Sequence, residues 1–298
     1  MKVLAVINPI SGDTDKSDFI TILSSEIEKR NGELSLYYTS GENDDLKLLE
    51  AINESKPDRI LAVGGDGTML MVARNLINRS QKMAIIPMGS ANGMATELEI
   101  PINLRDAIEV ALDSSNTLKL DLILINGRHY GIHIGDVGVN AQIVEGFEKE
   151  GSRGMLSYAK HFLNALQEAE MIKFEILADG KTYFREGYML AFANAQKYGT
   201  GIILNPKGKL TDGRFEICIV KDKSFESIIS AGLTKLSPFF VNEDSVEVIS
   251  CKRATVKMEN SQTLQVDGEV LGKYTDIEAE AVRNAVSIIV PQKRISLF

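Results

Sequence analysis

The chain has no tryptophan, and among its 298 residues there are only two cysteines, three histidines and seven prolines. Cys218 and Cys251 stand far apart with no Cys-x-x-Cys or Cys/His ligand spacing around them. That excludes a zinc finger or a disulfide framework and leaves two buried thiols in a reducing compartment. His129, His133 and His161 show no metal-ligand spacing and read as ordinary surface or core residues. Long apolar runs are missing too: residues 84–88 and 217–220 are far too short to cross a bilayer. The N-terminal Met1-Lys2-Val3-Leu4-Ala5-Val6-Ile7-Asn8 lacks a signal peptide's longer apolar stretch and cleavage site, and reads as the first core strand of a cytoplasmic protein. Positive charge is scarce: 33 Lys and Arg against 41 Asp and Glu give a net charge of −8. Nucleic acid is therefore not an expected partner, because binding it needs a basic footprint. Contact with an anionic membrane would have to come from a local basic or apolar patch. Also absent are the G-x-x-x-x-G-K-[ST] loop, a G-x-G-x-x-G after the first strand, and the protein-kinase signatures.

What remains is an ordinary globular composition, 44% hydrophobic and 25% charged, at a length that favours two domains sharing a cleft. The first domain is expected over residues 1–125, where strand patterns at 3–8, 34–38, 59–63, 83–87 and 118–125 alternate with helical patterns near 17–30, 44–54, 68–78 and 104–112. Such alternation implies a Rossmann-like parallel α/β sheet with helices on both faces and ligands at the carboxyl ends of the strands. Residues 126–298 change character, with short strands at 129–135, 173–177, 188–194, 215–220, 245–250, 254–258, 263–266 and 285–290. They read as a β-sandwich whose last segment has the option of returning to the first domain. One helix interrupts it, with Met155, Tyr158, Ala159, Phe162, Leu163 and Leu166 on a core-packing face.

Four segments carry the chemistry. Asn8-Pro9-Ile10-Ser11-Gly12 follows the first strand, Gly64-Gly65-Asp66-Gly67-Thr68 links a strand to a helix, and Pro87-Met88-Gly89-Ser90-Ala91-Asn92-Gly93 follows the strand at 83–87. Val266-Asp267-Gly268-Glu269 lies in the β-rich half. Glycine lets a ligand reach main-chain N–H groups, and a helix start adds the positive end of its dipole, so residues 64–68 suit a phosphate cradle. A carboxylate there, Asp66, suits bare phosphate poorly. It suits a Mg²⁺ ion standing between carboxylate and phosphates, or action on a hydroxyl nucleophile. Thr68 serves either as a helix N-cap or as a phosphate ligand.

In this order, the four segments resemble the diacylglycerol kinase catalytic-domain family over nearly the whole chain. The resemblance implies an ATP- and Mg²⁺-dependent kinase acting on the hydroxyl of a lipid alcohol, with the active site between the two domains. It implies that Asn8, Thr39, Gly64, Gly65, Asp66, Gly67, Thr68, Met69, Leu70, Gly89, Ser90 and Asn92 hold ATP. Glu269 takes the position of the catalytic acid/base, with Asp267 and Asp66 beside it in the catalytic set. Asp121 falls where related kinases place an aspartate near the substrate hydroxyl. Lys209-Leu210-Thr211-Asp212-Gly213-Arg214 matches the family's structural magnesium loop, held by the Asp212 carboxylate and by carbonyls at Lys209 and Arg214. A peripheral contact with the inner membrane surface and a homodimer stay open. Leu70 and Met71 stand where many relatives have an Asn-Glu pair, and Gly93 where they have an acid. Those changes put diacylglycerol itself in question and leave two alternatives, an NAD kinase-like enzyme and a non-catalytic nucleotide-binding regulatory module.

Overall fold

Residues 3–7, 60–64 and 83–87 are buried at every position, and a strand buried on both faces has to sit inside a sheet covered on both sides. They belong to β1 (Lys2–Ile7), β3 (Arg59–Gly64) and β4 (Lys82–Pro87), while β2 (Glu33–Tyr38), only partly buried, forms the edge. The computed structural model describes residues 1–13, 15–138, 169–198, 202–222, 239–240 and 245–292, in two units. One comprises Met1–Leu120 with Asn284–Phe298, the other Asp121–Arg283. The boundary between the units falls inside strand β5 (Thr117–Ile125).

In the first unit β2, β1, β3 and β4 pair in parallel, and the end of the last strand adds beside β4 through Ser287↔Lys82 and Ile288↔Met83. The connections between these strands carry α1 (Ser17–Lys29), α2 (Asp44–Ser55) and α3 (Asp66–Asn75), and α5 (Leu104–Asp113) follows β4. Phe19, Leu23 and Ile27 of α1 pack with Ala107, Ile108 and Ala111 of α5 on Val3, Ala5, Leu61 and Ile86. Asn103 caps α5 by accepting the N–H groups of Arg105 and Asp106. The short helix α4 (Gly93–Glu97) had no pattern in the sequence long enough to betray it.

The second unit is antiparallel. Its strands are β6 (His129–Gly131), β7 (Ile134–Gly138), β8 (Ile172–Ala178), β9 (Lys181–Gly187), β10 (Met189–Ala193), the two-residue β11 (Lys197–Tyr198) and β12 (Ile202–Ile203), β13 (Phe215–Val220), the two-residue β14 (Phe239–Phe240), β15 (Val246–Cys251), β16 (Arg253–Val266) and β17 (Glu269–Ile289). β17 ends in the first unit. One ladder runs β15-β13-β10-β7-β16; β9 pairs β8, which also pairs β16. β16 therefore serves both layers of the sandwich, meeting β8 at Ala254–Met258 and β7 at Leu264–Val266, and its pairing with β17 shifts register between Lys257 and Gln262 and between Leu264 and Gln265. The core is Phe174, Ile176, Leu190, Phe192, Phe215, Ile217, Val256, Leu264 and Ile277. Both cysteines are buried, Cys251 within this core, and burial pushes the Cys251 thiol up to about 12.

The segment expected as one strand over residues 129–135 is broken into β6 and β7. The N–H groups of Ile132, His133 and Ile134 turn toward the carboxylate of Asp267 instead of a neighbouring strand. The expected helix over residues 155–166 lies outside the described residues. Among the described residues no helix is long and apolar enough to cross a membrane.

Candidate active site

Because β1, β3 and β4 run the same way, the loops that follow them open at one edge of the sheet. After β1, Asn8 donates its N–H to the Val63 carbonyl at 3.1 Å, and its side-chain oxygen accepts the Ile10 N–H at 3.2 Å. Ser11 Oγ donates to the Met88 carbonyl at 3.2 Å. Gly12 has φ +67°, and a Cβ there would stand 2.5 Å from that same carbonyl, so the first loop lies against the third with no room for a side chain.

The second and third loops are closed on each other still more tightly. A Cβ on Gly89 would fall 2.3 Å from the Cα of Gly65, and Met88 donates its N–H to the Gly64 carbonyl at 2.9 Å. Asn92, with φ +53°, folds its own turn by accepting the Gly89 N–H at 2.9 Å and donating to the Gly89 carbonyl at 2.8 Å. Asp66, the first residue of α3, accepts the N–H of Gly93 at 2.9 Å and of Met94 at 3.0 Å, which are the opening donors of α4. Hydrogen bonds to a carboxylate contribute about 1.5–3 kcal/mol each, so this clamp fixes where the third loop sits. Asp66→Asn turns one acceptor into a donor facing an N–H. Slower protection is lost first there: amide exchange at Gly93 and Met94 should quicken, and stability should fall by about 1–3 kcal/mol. Unchanged exchange at both amides would count against the clamp.

At the start of α3 the N–H groups of Asp66, Gly67 and Thr68 precede the first intrahelical bond, from Met69 to Gly65 at 3.1 Å. Gly67 is exposed with no atom within 4 Å of where its Cβ would be, so an anion can approach this turn closely. Thr68 does not face that space. It is 5% exposed, with its hydroxyl packed against Gly64.

In the second unit Asp267 and Gly268, with φ +49° and +88°, form the two-residue turn between β16 and β17 that Asp-Gly favours. The Asp267 carboxylate accepts the N–H groups of Ile132 at 2.7 Å, His133 at 3.0 Å and Ile134 at 2.9 Å. Burial pushes this carboxyl up, while His133 and the three amides pull it down. Glu269 follows the turn as an exposed residue at the head of β17. Burial and Arg128 hold the His129 imidazole below its usual value, and the Glu269 carboxylate is the charge opposing them. Elsewhere in the unit Asp121, 1% exposed, donates its N–H to the Leu210 carbonyl at 2.8 Å and accepts the Gly213 N–H on its carboxylate. Asp212 is exposed, accepts the Arg214 N–H at 3.0 Å, and is the carboxylate of that loop. The Arg214 side chain turns away to Ser250 and Asp179.

The sequence profile of the diacylglycerol kinase catalytic domain matches residues 2–125, and that of the YegS C-terminal NAD kinase beta sandwich-like domain matches residues 135–290. The chain belongs to the diacylglycerol kinase catalytic-domain family. A protein named "Probable lipid kinase YegS-like" from Pectobacterium atrosepticum is 25% identical over 275 residues, 88% of this chain and 88% of its own. Another of that name from Yersinia enterocolitica is 26% identical, covering 78% of this chain and 79% of its own. A crystal structure of a diacylglycerol kinase from Bacillus anthracis superposes with a TM-score of 0.74 over 99% of this chain and 98% of that one, at 21% identity, a likeness of fold.

Set against the family pattern, the residues expected to hold ATP divide in two. Gly64, Gly65, Gly89, Asn8 and Asn92 build the cradle through backbone contact and turn formation. Gly67 and Ser90 are exposed at its surface, and Thr39 lies beside the end of β1, its N–H 2.9 Å from the Ile7 carbonyl. Met69 and Leu70 are 1% and 4% exposed and point into the core, so they offer a ligand no side chain. Three of the expected acids are held by backbone N–H groups: Asp66 clamps α4, Asp267 gathers the β6–β7 segment, and Asp121 supports the 209–214 loop from inside. Each is satisfied by backbone N–H groups, a role that a motif's spacing does not reveal. Lys16 went unnoticed in the sequence: 5% exposed, its ammonium reaches the Ser11 carbonyl at 2.6 Å and so braces the first loop. No periodic signal marks it.

Proposed function

We propose that this chain transfers the terminal phosphoryl group of ATP to the hydroxyl of a lipid alcohol, diacylglycerol, sphingoid or related. The observation that carries the reading is the closure of three glycine-bearing loops at one sheet edge, leaving the first turn of α3 open beside Gly67. Its open N–H groups and helix dipole suit the phosphates. In the reaction the alcohol oxygen bonds to the γ-phosphorus, the bond from that phosphorus to the bridging oxygen breaks, and ADP leaves with the electron pair. The alcohol proton passes to Glu269, the exposed carboxylate that is not committed to backbone donors. Membership of the family supports ATP and a lipid acceptor together. Incubation with ATP should protect residues 64–70 from amide exchange, and a lipid alcohol, not NAD, should then drive ADP release. Consumption of NAD in place of lipid would favour an NAD kinase-like enzyme.

Magnesium fits the 209–214 loop on chemical grounds. Among the described residues no three His, Cys, Asp or Glu side chains converge, so an ion there would rest on Asp212, carbonyls of Lys209 and Arg214, and water. Mg²⁺ accepts such a set because it keeps several waters and takes one or two carboxylates. When bound it would supply charge neutralisation to the loop that Asp121 holds. Asp212→Ala should remove the dependence of thermal stability on millimolar Mg²⁺ while the metal-free melting temperature stays within about 2 °C, as expected for an exposed side chain. A Mg²⁺-dependent melting temperature that survives in this variant places the ion elsewhere.

A further inference from the structure

Gln265 of β16 is 2% exposed, and its side chain is engaged at both ends. Its amide nitrogen donates to the Asp136 carboxylate, and its amide oxygen accepts the Gly268 N–H at 2.8 Å. Asp136, 1% exposed, stands directly across the ladder on β7. A carboxylate accepts and a backbone N–H donates, so the amide fits between them in one orientation only. The Asp267-Gly268 turn is thereby pinned twice to the same segment. Asp267 accepts the N–H groups of Ile132, His133 and Ile134 and donates its own N–H to the Ile134 carbonyl at 2.8 Å. Gly268 is tied through Gln265 to Asp136. Glu269, the residue that leaves the turn, is exposed and stands opposite Val266.

We infer that Gln265 and Asp136 are positioning residues for the phosphoryl transfer: they fix Gly268, and through it the point from which Glu269 takes the alcohol proton. The inference rests on the role given to Glu269 above. Stability alone does not call for this pair. Two facing side chains buried inside a sheet hold strands together as well when both are apolar, and a buried carboxylate is costly unless it is partnered. What a polar pair adds is direction, because a hydrogen bond fixes the Gly268 N–H along one line. Proton transfer needs that direction, since a group misplaced by about 1 Å can lose 10²-fold in rate. Without Gln265 the turn would loosen on one side only, while Asp267 keeps its three donors and Glu269 its carboxylate. The expected loss is therefore smaller, about tenfold.

Gln265→Met keeps the length of the side chain and removes both hydrogen bonds. Amide exchange at Gly268 should quicken, and turnover of ATP with a lipid alcohol in detergent micelles should fall about tenfold at unchanged KM for ATP. A double-mutant cycle separates positioning from general damage. In the Glu269→Gln background no base remains to be positioned, so adding Gln265→Met should lower turnover by less than about twofold. Gln265→Glu covers the case of a Gln265→Met protein that does not fold. Protonated, the new carboxyl donates to Asp136 and accepts from Gly268 as the amide does; ionised, it faces a second buried carboxylate. Burial and Asp136 both raise its pKa, so turnover relative to the native chain should be kept at acidic pH and lost as pH rises. Unchanged exchange at Gly268, a tenfold loss that persists in the Glu269→Gln background, or a Gln265→Glu chain that matches the native one at every pH would each overturn the inference. Normal turnover in Gln265→Met beside an impaired Glu269→Gln would overturn it alone. Normal turnover in Glu269→Gln would instead overturn the role of Glu269 on which it rests.

Discussion

Glu269→Gln should lower turnover about 10²–10⁴-fold and leave ATP affinity nearly unchanged, the range that general acid–base catalysis contributes. An alcohol is a poor nucleophile until its proton has somewhere to go, and glutamine cannot take it. Phosphoryl transfer owes much to positioning and charge neutralisation, which the variant keeps, so the loss is partial. The fold should not suffer, because Glu269 is exposed at the head of β17 and carries none of the contacts that hold the turn. Asp267→Asn is the contrasting variant. Its carboxylate gathers three N–H groups, and losing even one leaves a buried donor unpaired at a cost of about 1–3 kcal/mol. Turnover and melting temperature measured on both variants separate the roles: Glu269→Gln loses rate at constant stability, Asp267→Asn loses stability. Near-normal turnover in Glu269→Gln would place the base elsewhere.

Gly89→Ala should abolish tight ATP binding, the second large effect. Its Cβ would lie 2.3 Å from the Gly65 Cα and 2.8 Å from the Gly65 nitrogen, so backbone has to move, not a side chain. Displacing the loop that precedes α3 by about 1 Å is enough to cost 10²-fold where geometry governs the chemistry. Gly67→Ala tests the same cradle from the opposite side. It meets no protein atom within 4 Å, so the fold should tolerate it while the new methyl group crowds the approach to the first turn. Calorimetric titration with MgATP should find weakened binding in both variants, and a lowered melting temperature only for Gly89→Ala. Full affinity in a folded Gly89→Ala protein would show that nucleotide does not use these loops.

The parallel half was readable because its strands are short apolar runs and its helices carry one apolar face, as in α1 with Phe19, Leu23 and Ile27. β9 was not, since Lys181-Thr182-Tyr183-Phe184-Arg185-Glu186 carries charge at both ends and only Tyr183 packs against the core. The Asp179-Gly180 turn before it, with φ +47° and +82°, was the available signal. The 21 residues of β17 were hidden for a related reason: its middle alternates charged residues with Ile277 and Ala279, and only its end, interrupted by Ser287, is mainly apolar. In the candidate site, glycine spacing located the loops that close on one another, because close backbone approach leaves only glycine at Gly12 and Gly89. The acids were harder. Asp66, Asp121 and Asp267 each turn toward backbone N–H groups supplied by residues far away in the chain, a partnership that no local pattern encodes.

The central claim is tested most directly by following the γ-phosphate itself. ATP labelled at that position, incubated with Mg²⁺ and a panel of lipid alcohols in detergent micelles, should yield labelled lipid phosphate in a one-to-one ratio with ADP. Glu269→Gln should suppress both products together. ADP formed without labelled lipid, or label appearing on NAD in the control, would contradict the account.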